Sequence, residues 1–283
     1  MRALTMPASG LWAELVTGKF EADGFDAGKT SSGYEADTYG IMAGLDVAVG
    51  QSWTFGAAFN YAESDIEASS SDTKNDFESY GFSLYAGKAF ESGLRLSASV
   101  GYSKGSSEVT QKNLSLVKAD IDTSAWVVGA RAAYTLGMSK HSAITPYIGV
   151  DAVWLKQDAF TAKLNGADAF DYASADETFV RLPVGVRADW AARTNETTAW
   201  SAFADLSVAP QFGGTEADAE VTGVHTHATD SSSFTYADDY VASLKLGGSV
   251  RMNRVNLELD YGASMGDVRE ISHEFSAKAK FVF

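Results

Sequence analysis

The chain has 283 residues, no cysteine, 37 acidic against 22 basic side chains and a formal charge of −15. That excludes a disulfide framework and a thiolate metal site, and it excludes holding nucleic acid or an anionic surface on a basic face. Although 45% of the residues are hydrophobic, no apolar run approaches the roughly 18–20 residues that a transmembrane helix needs.

The hydrophobic residues instead alternate with polar ones, the period of strands with one apolar face. Leu11–Glu21 alternates imperfectly. Tyr39, Ile41, Ala43, Leu45, Val47 and Val49 then share one face, and Trp53, Phe55, Ala57, Phe59 and Tyr61 the next. Tyr80, Phe82, Leu84 and Ala86 follow, then Leu94, Leu96, Ala98, Val100 and Tyr102, then Trp126, Val128, Ala130, Ala132 and Tyr134. Ile148, Val150, Ala152 and Trp154 precede Val180, Leu182, Val184, Val186, Ala188 and Trp190. After a less regular Ala199–Val208 come Tyr240, Ala242, Leu244, Leu246, Val250 and Met252, and Val255, Leu257, Leu259, Tyr261 and Ala263. The last row is Ile271, Phe275, Ala277, Ala279, Phe281 and Phe283, interrupted by His273. The pattern predicts an all-β chain of about twelve strands, with 9–11 residues of each inside a bilayer.

A soluble sandwich or barrel would also alternate, with its apolar face inward. The aromatic residues argue for the inverted arrangement. Tyr39, Tyr61, Tyr80, Tyr102, Trp126, Trp154, Tyr240 and Tyr261 end the rows at one level, and Trp53, Phe90, Tyr134, Trp190, Trp200 and Phe283 at the other. At ~3.3 Å per residue and a ~40° tilt, Tyr61 and Trp53 lie about 20 Å apart, close to the apolar band of an outer-membrane barrel. Connections alternate as periplasmic turns and extracellular loops do. They are short near Gly50–Ser52, Glu91–Gly93, Met138–Ser142, Arg193–Thr197 and Asn253–Arg254. The longer polar ones lie near Ala22–Gly33, Ala68–Asn75, Lys104–Ala119, Asp158–Tyr172 and Gln211–Asp239, with a short one at Gly266–Glu270. Gln211–Asp239 carries Glu216, Asp218, Glu220, Asp230, Asp238 and Asp239 without a Lys or Arg, and reads as a solvated loop. The expectation is a transmembrane antiparallel up-and-down β-barrel in a bacterial outer membrane.

In such a barrel the polar face lines the lumen. It carries Asp46, Arg131, Asp151, Arg181, Arg187, Asp189, Asp205, Lys245, Arg251, Glu258, Asp260, Lys278 and Lys280. Gly40, Gly44, Gly56, Gly81, Gly87, Gly101, Gly129, Gly149, Gly185, Gly247 and Gly262 share that face. Glycine weakens a strand, so its placement needs a reason: relief of crowding where the sheet curves, or room for an occupant of the bore. An even strand number places both termini on one side, which the short turns identify as periplasmic. Met1–Gly10 has no apolar h-region, which predicts a piece of a longer precursor.

Several short segments, in order and spacing, carry a family resemblance. They are Leu11-Trp12-Ala13-Glu14-Leu15, Gly33-Tyr34-Glu35-Ala36-Asp37-Thr38-Tyr39-Gly40, Gly44-Leu45-Asp46, Tyr80-Gly81-Phe82 with Tyr85-Ala86-Gly87, Thr145-Pro146-Tyr147 and the terminal Phe281-Val282-Phe283. The chain resembles the C-terminal translocator β-domain of autotransporters, the type V secretion family. The resemblance implies a monomeric twelve-stranded barrel over residues 11–283, with 1–10 the remnant of a linker or helix. It implies an N-terminal passenger anchored and helped to the cell surface, and a barrel-assembly machinery that reads Phe281 and Phe283. It implies no catalysis, cofactor or metal. Some family members cut their passenger at a helix asparagine in the lumen; without that helix, no cleavage residues carry over.

Other chemistry is thin. His225 and His227 have a spacing open to opportunistic metal binding. His273 lies among lipid-facing residues, but the adjacent apolar face supplies no serine for an exterior Ser–His pair. Asp238-Asp239 with a loop histidine is a generic pairing. The alternatives left by the residues are a stand-alone channel or porin-like pore and, behind it, an outer-membrane hydrolase.

Overall fold

Strands that alternate in this way project every backbone N–H and C=O sideways, and in hydrocarbon each group must find a neighbouring strand. The computed structural model meets that demand by closing the sheet. It describes residues 8–27, 30–69, 71–112, 115–195, 197–213, 216–235, 239–266 and 270–283. The strands are β1 (Gly10–Ala27), β2 (Thr30–Val49), β3 (Trp53–Ala68), β4 (Thr73–Ala89), β5 (Leu94–Lys112), β6 (Leu116–Tyr134), β7 (Leu136–Gly137), β8 (Ser142–Gln157) and β9 (Phe160–Leu164). They continue as β10 (Ala167–Tyr172), β11 (Ala175–Arg181), β12 (Val184–Arg193), β13 (Thr198–Phe212), β14 (Glu216–Gly223), β15 (Thr229–Thr235), β16 (Tyr240–Met252), β17 (Val255–Gly266) and β18 (Glu270–Val282).

Twelve staves form the barrel: β1–β6, β8, β11 with β12, β13, β16, β17 and β18. β11 and β12 are one stave broken at Leu182-Pro183, since both pair with β8 on one side and β13 on the other. Proline has no N–H for the ladder. Its carbonyl still accepts from Gly149 N at 2.8 Å, and Leu182 N reaches Pro210 O at 3.0 Å, so the wall stays sealed. Closure is antiparallel, with β18 against β1 from Gly10↔Val282 to Ala22↔Glu270. The chain's two described ends therefore lie together, beside the short turns.

The membrane-facing rows are exposed in the isolated chain, including Leu11, Leu15, Leu84, Ile148, Leu206, Leu259 and Phe275. Register places Tyr102, Trp126 and Trp154 side by side on β5, β6 and β8, and Tyr61 opposite Tyr80 on β3 and β4. At the other rim Lys88 lies over the rings of Trp53 and Phe90, 4.9 and 4.7 Å from their centroids, an aliphatic stem in the apolar layer with its charge at the interface.

The long connections differ from the solvated loops expected. β1 and β2 stay paired to Ala27↔Thr30, and β5 and β6 to Lys112↔Leu116. Asp158–Tyr172 and Gln211–Asp239 hold hairpins, β9 with β10 and β14 with β15; Asp238 lies outside the described residues. The reason is a change of phase. Above the upper aromatic row the outward face carries Lys19, Glu35, Asp65, Asp76, Glu108 and Asp120, while Phe20, Ala36, Ile66, Phe77, Val109 and Ile121 turn inward. In water the strands thus hide their apolar face as a soluble sheet does, and the polar composition conceals paired strands.

These extensions join the hairpins into a second ring. β9 pairs with β6, β10 with β14, and β15 lies beside β1. Ten strands, β1–β6, β9, β10, β14 and β15, thus stack on the twelve-stranded barrel as a collar.

Candidate functional site

The lumen of the barrel is the candidate site. All thirteen charged residues singled out above fall on the face opposite the exposed apolar rows, and most meet a partner there. At the closure, Asp46 accepts hydrogen bonds from the Tyr85 hydroxyl and from Lys280 Nζ, which reaches across β1 to do so. Trp12 Nε1 donates to the Tyr85 hydroxyl at 3.1 Å. Lys278 lies between Glu14 and Glu258 in register, bonds Glu14 at 3.1 Å, and sits 4.1 Å from the centroid of the Trp12 ring. First and last strands are thus tied by charge as well as by backbone.

The opposite wall has its own network. Arg187 bonds Asp189 at 2.9 Å and lies over the Phe203 ring at 3.6 Å. In register it faces Asp205, which faces Lys245 on the next strand. Tyr147 donates to Asp205 at 2.7 Å and carries Arg131 over its ring at 4.7 Å. Lys245 approaches the buried Asp260 at 3.4 Å, and Ser276 donates to the same oxygen at 3.3 Å. Arg181 stands opposite Asp151, and Arg251 opposite Asn256 near the base. Phe281 and Phe283 are exposed on the outer face at the closure, and Phe283 N reaches Ser9 O at 3.1 Å.

The glycines have a use that neither sequence reading named. Gly44 lies directly opposite Trp12, Gly56 opposite Tyr85, Gly185 opposite Tyr147 and Gly247 opposite Phe203. A Cβ built on any of the four would overlap that ring. The missing side chain is thus filled by the neighbouring strand's aromatic, which lies along the wall. Glu14, Trp12, Tyr85, Tyr147, Phe203 and Ser276 are the lumen residues that sequence reasoning missed. The available signal was an aromatic on the polar parity, but only the register shows the glycine facing it.

The geometry is that of a closed twelve-stranded β-barrel with a charged lumen, and comparisons with known proteins give its family. The family model "Autotransporter beta-domain" matches residues 11–262. The chain belongs to the autotransporter β-domain family. Among curated proteins it is similar to the putative uncharacterized protein YaiT of Escherichia coli (strain K12), 24% identical over 203 residues, 70% of this chain and 20% of that protein. The chain spans about a fifth of the length of such relatives. Among solved structures it is similar to the beta domain of the Bordetella autotransporter BrkA, with a TM-score of 0.74 and 16% identity over 98% of this chain and 100% of that one. It is also similar to the translocator domain of autotransporter NalP from Neisseria meningitidis, with a TM-score of 0.75 and 12% identity over 98% of this chain and 88% of that one.

The autotransporter fold also places the remaining candidates. His273 faces outward between Lys19 and Ala263, and its Nδ1 is 2.8 Å from the Tyr261 hydroxyl, a partner in the aromatic row that sequence did not suggest. His225 and His227 lie in the exposed turn between β14 and β15. Asp239 accepts from Gln211 N through its backbone carbonyl at 2.7 Å. Among the described residues, no group of three or more His, Asp or Glu side chains converges as a metal site would require.

Proposed function

We propose that this barrel is the translocator of a type V secretion protein, anchoring a passenger that precedes it and helping deliver that passenger to the cell surface. The observation that carries the reading is the position of Ala8 and Ser9. Lys280 Nζ, part of the lumen network, donates to Ala8 O at 3.2 Å, and Ser9 Oγ accepts from Ala48 N at 3.0 Å. A chain preceding β1 is thereby held at the barrel mouth beside the short turns. In this reading both termini are periplasmic, residues 1–10 belong to the linker or helix, and the paired lumen charges line the route. The barrel acts as a monomer, without catalysis, and the assembly machinery reads the strand ending in Phe281 and Phe283.

The test is a secreted, protease-sensitive reporter joined upstream of Ala8. The reporter should become accessible to protease added outside intact cells. A reporter that stays in the periplasm while the barrel itself folds and inserts would overturn the conduit. Replacing Phe281 and Phe283 by Ser should lower the amount of folded barrel without changing its synthesis; unchanged assembly would remove the recognition role.

A further inference from the structure

The collar gives the bore an upper section unlike its lower one. Inside the membrane band the inward face carries the paired charges described above. Above the aromatic row, the described inward side chains of β1–β6 and β9 include no charged residue; Thr38, Ser64, Asn75 and Ser107 are polar ones among them, and on β15 Asp230 shares the inward face, in register with Val221. Phe20, Ile66, Phe77, Ile121, Phe160 and Tyr172 turn inward there from six of the collar strands. They are partly buried and anchored to the wall. Phe160 stacks on Tyr172 at 4.6 Å between centroids, and the Phe77 ring covers Gly105. For ten strands spaced ~4.8 Å apart and tilted ~40°, the backbone ring is about 20 Å across. Side chains as long as phenylalanine, entering from six of the ten strands, narrow the bore and make most of its lining there apolar.

Water enters such a neck reluctantly, because its walls return few of the hydrogen bonds that the water gives up. An ion must shed hydration for nothing in exchange. We propose that the collar is a hydrophobic barrier that closes the extracellular end of the bore to water and ions, so that an outer-membrane barrel with a charged, hydrated lumen does not leak. The barrier is a property of the barrel itself and does not depend on the passenger reading.

The experiment is single-channel recording of the barrel, residues 1–283, refolded and inserted into planar lipid bilayers in concentrated KCl. The unaltered chain should conduct little. Phe77→Asp and Ile121→Asp should raise the conductance severalfold by letting water wet the neck, whereas Ile121→Leu should leave it low. Asp76→Asn, on the outer face of the collar, should not open the pore. Heat-modifiable migration on gels verifies folding, and the milder Ile66→Ser and Phe160→Ser decide the matter if an aspartate variant fails to fold. A large conductance in the unaltered chain, or collar variants that conduct no more than it, would overturn the barrier. So would a pore opened as much by Asp76→Asn as by the inward collar changes.

Discussion

The membrane band and the collar share six strands, β1–β6, yet along them they obey opposite rules. In the band apolar side chains point out and charges point in; a few residues higher the two faces exchange. The backbone continues without interruption from Leu11↔Leu45 to Glu21↔Glu35, so the solvent outside the wall decides the pattern. Lipid accepts Leu15 and Tyr39 on the outer face, and water accepts Lys19 and Asp37 there. The collar also shows how much like charge a wet face tolerates. Asp37, Asp65, Asp76, Glu108 and Asp120 form one row across β2–β6, each directly opposite the next. Lys19 begins the row from β1. Its pKa is held above the ordinary lysine value, chiefly by hydrogen bonds to Glu21 at 2.8 Å and Glu35 at 3.2 Å.

The largest effect should come from violating the band's rule. Leu84→Arg, mid-band on the outer face, should cost about 2–4 kcal/mol of folding free energy, read by denaturant titration of the barrel refolded into lipid vesicles. The same arginine at Asp76, on the outer face of the same strand but in the collar, should cost nothing; equal losses at both positions would end the distinction. Next come the glycine seats. Gly56→Ala should destabilise by about 1–3 kcal/mol through overpacking against Tyr85. In the Gly56→Ala, Tyr85→Ala double variant the glycine change should cost much less, and strict additivity would argue that the ring is not the obstacle. Lys280→Ala, which removes an ionic hydrogen bond at the closure, should cost about 1–3 kcal/mol. It should also loosen the Gly10–Ala22 ladder to hydrogen exchange more than the β5–β6 ladder. The smallest effect belongs to the carboxylate row. Like charges directly opposite repel, so Asp76→Asn should stabilise slightly at low ionic strength, and the gain should fade as salt shortens the screening length. A gain that persists in high salt would point to a cause other than repulsion.

Much of this was legible in the chain. The alternation of Trp53 to Tyr61 or of Val255 to Ala263 needs only local sequence, and so do the two aromatic levels. The loops were misjudged because polarity was taken for irregularity. Ser107 and Val109 do alternate with Glu108 and Thr110, but on the parity opposite to Val100 and Tyr102, and a slipped phase reads as no phase at all. Val117, Ala119 and Ile121 against Trp126 repeat the same slip. The charged residues of the polar face were read by parity. Glu14 was passed over because the first strand alternates poorly, with Trp12 turned inward onto Gly44.

The sequence by itself determined that this chain would be strands with one apolar face, how many staves the barrel would have, and which residues would form its apolar rows, because side-chain direction in a strand repeats every two residues whatever the partner. Tertiary structure decided the rest. Only the register sets Trp12 over Gly44 or Tyr147 over Gly185, brings Lys280 across β1 to Asp46, and joins two separate hairpins to the tops of β1 and β6 as a collar. Those contacts join residues far apart in the chain, and pairing across a closed sheet is a global choice that no local period contains.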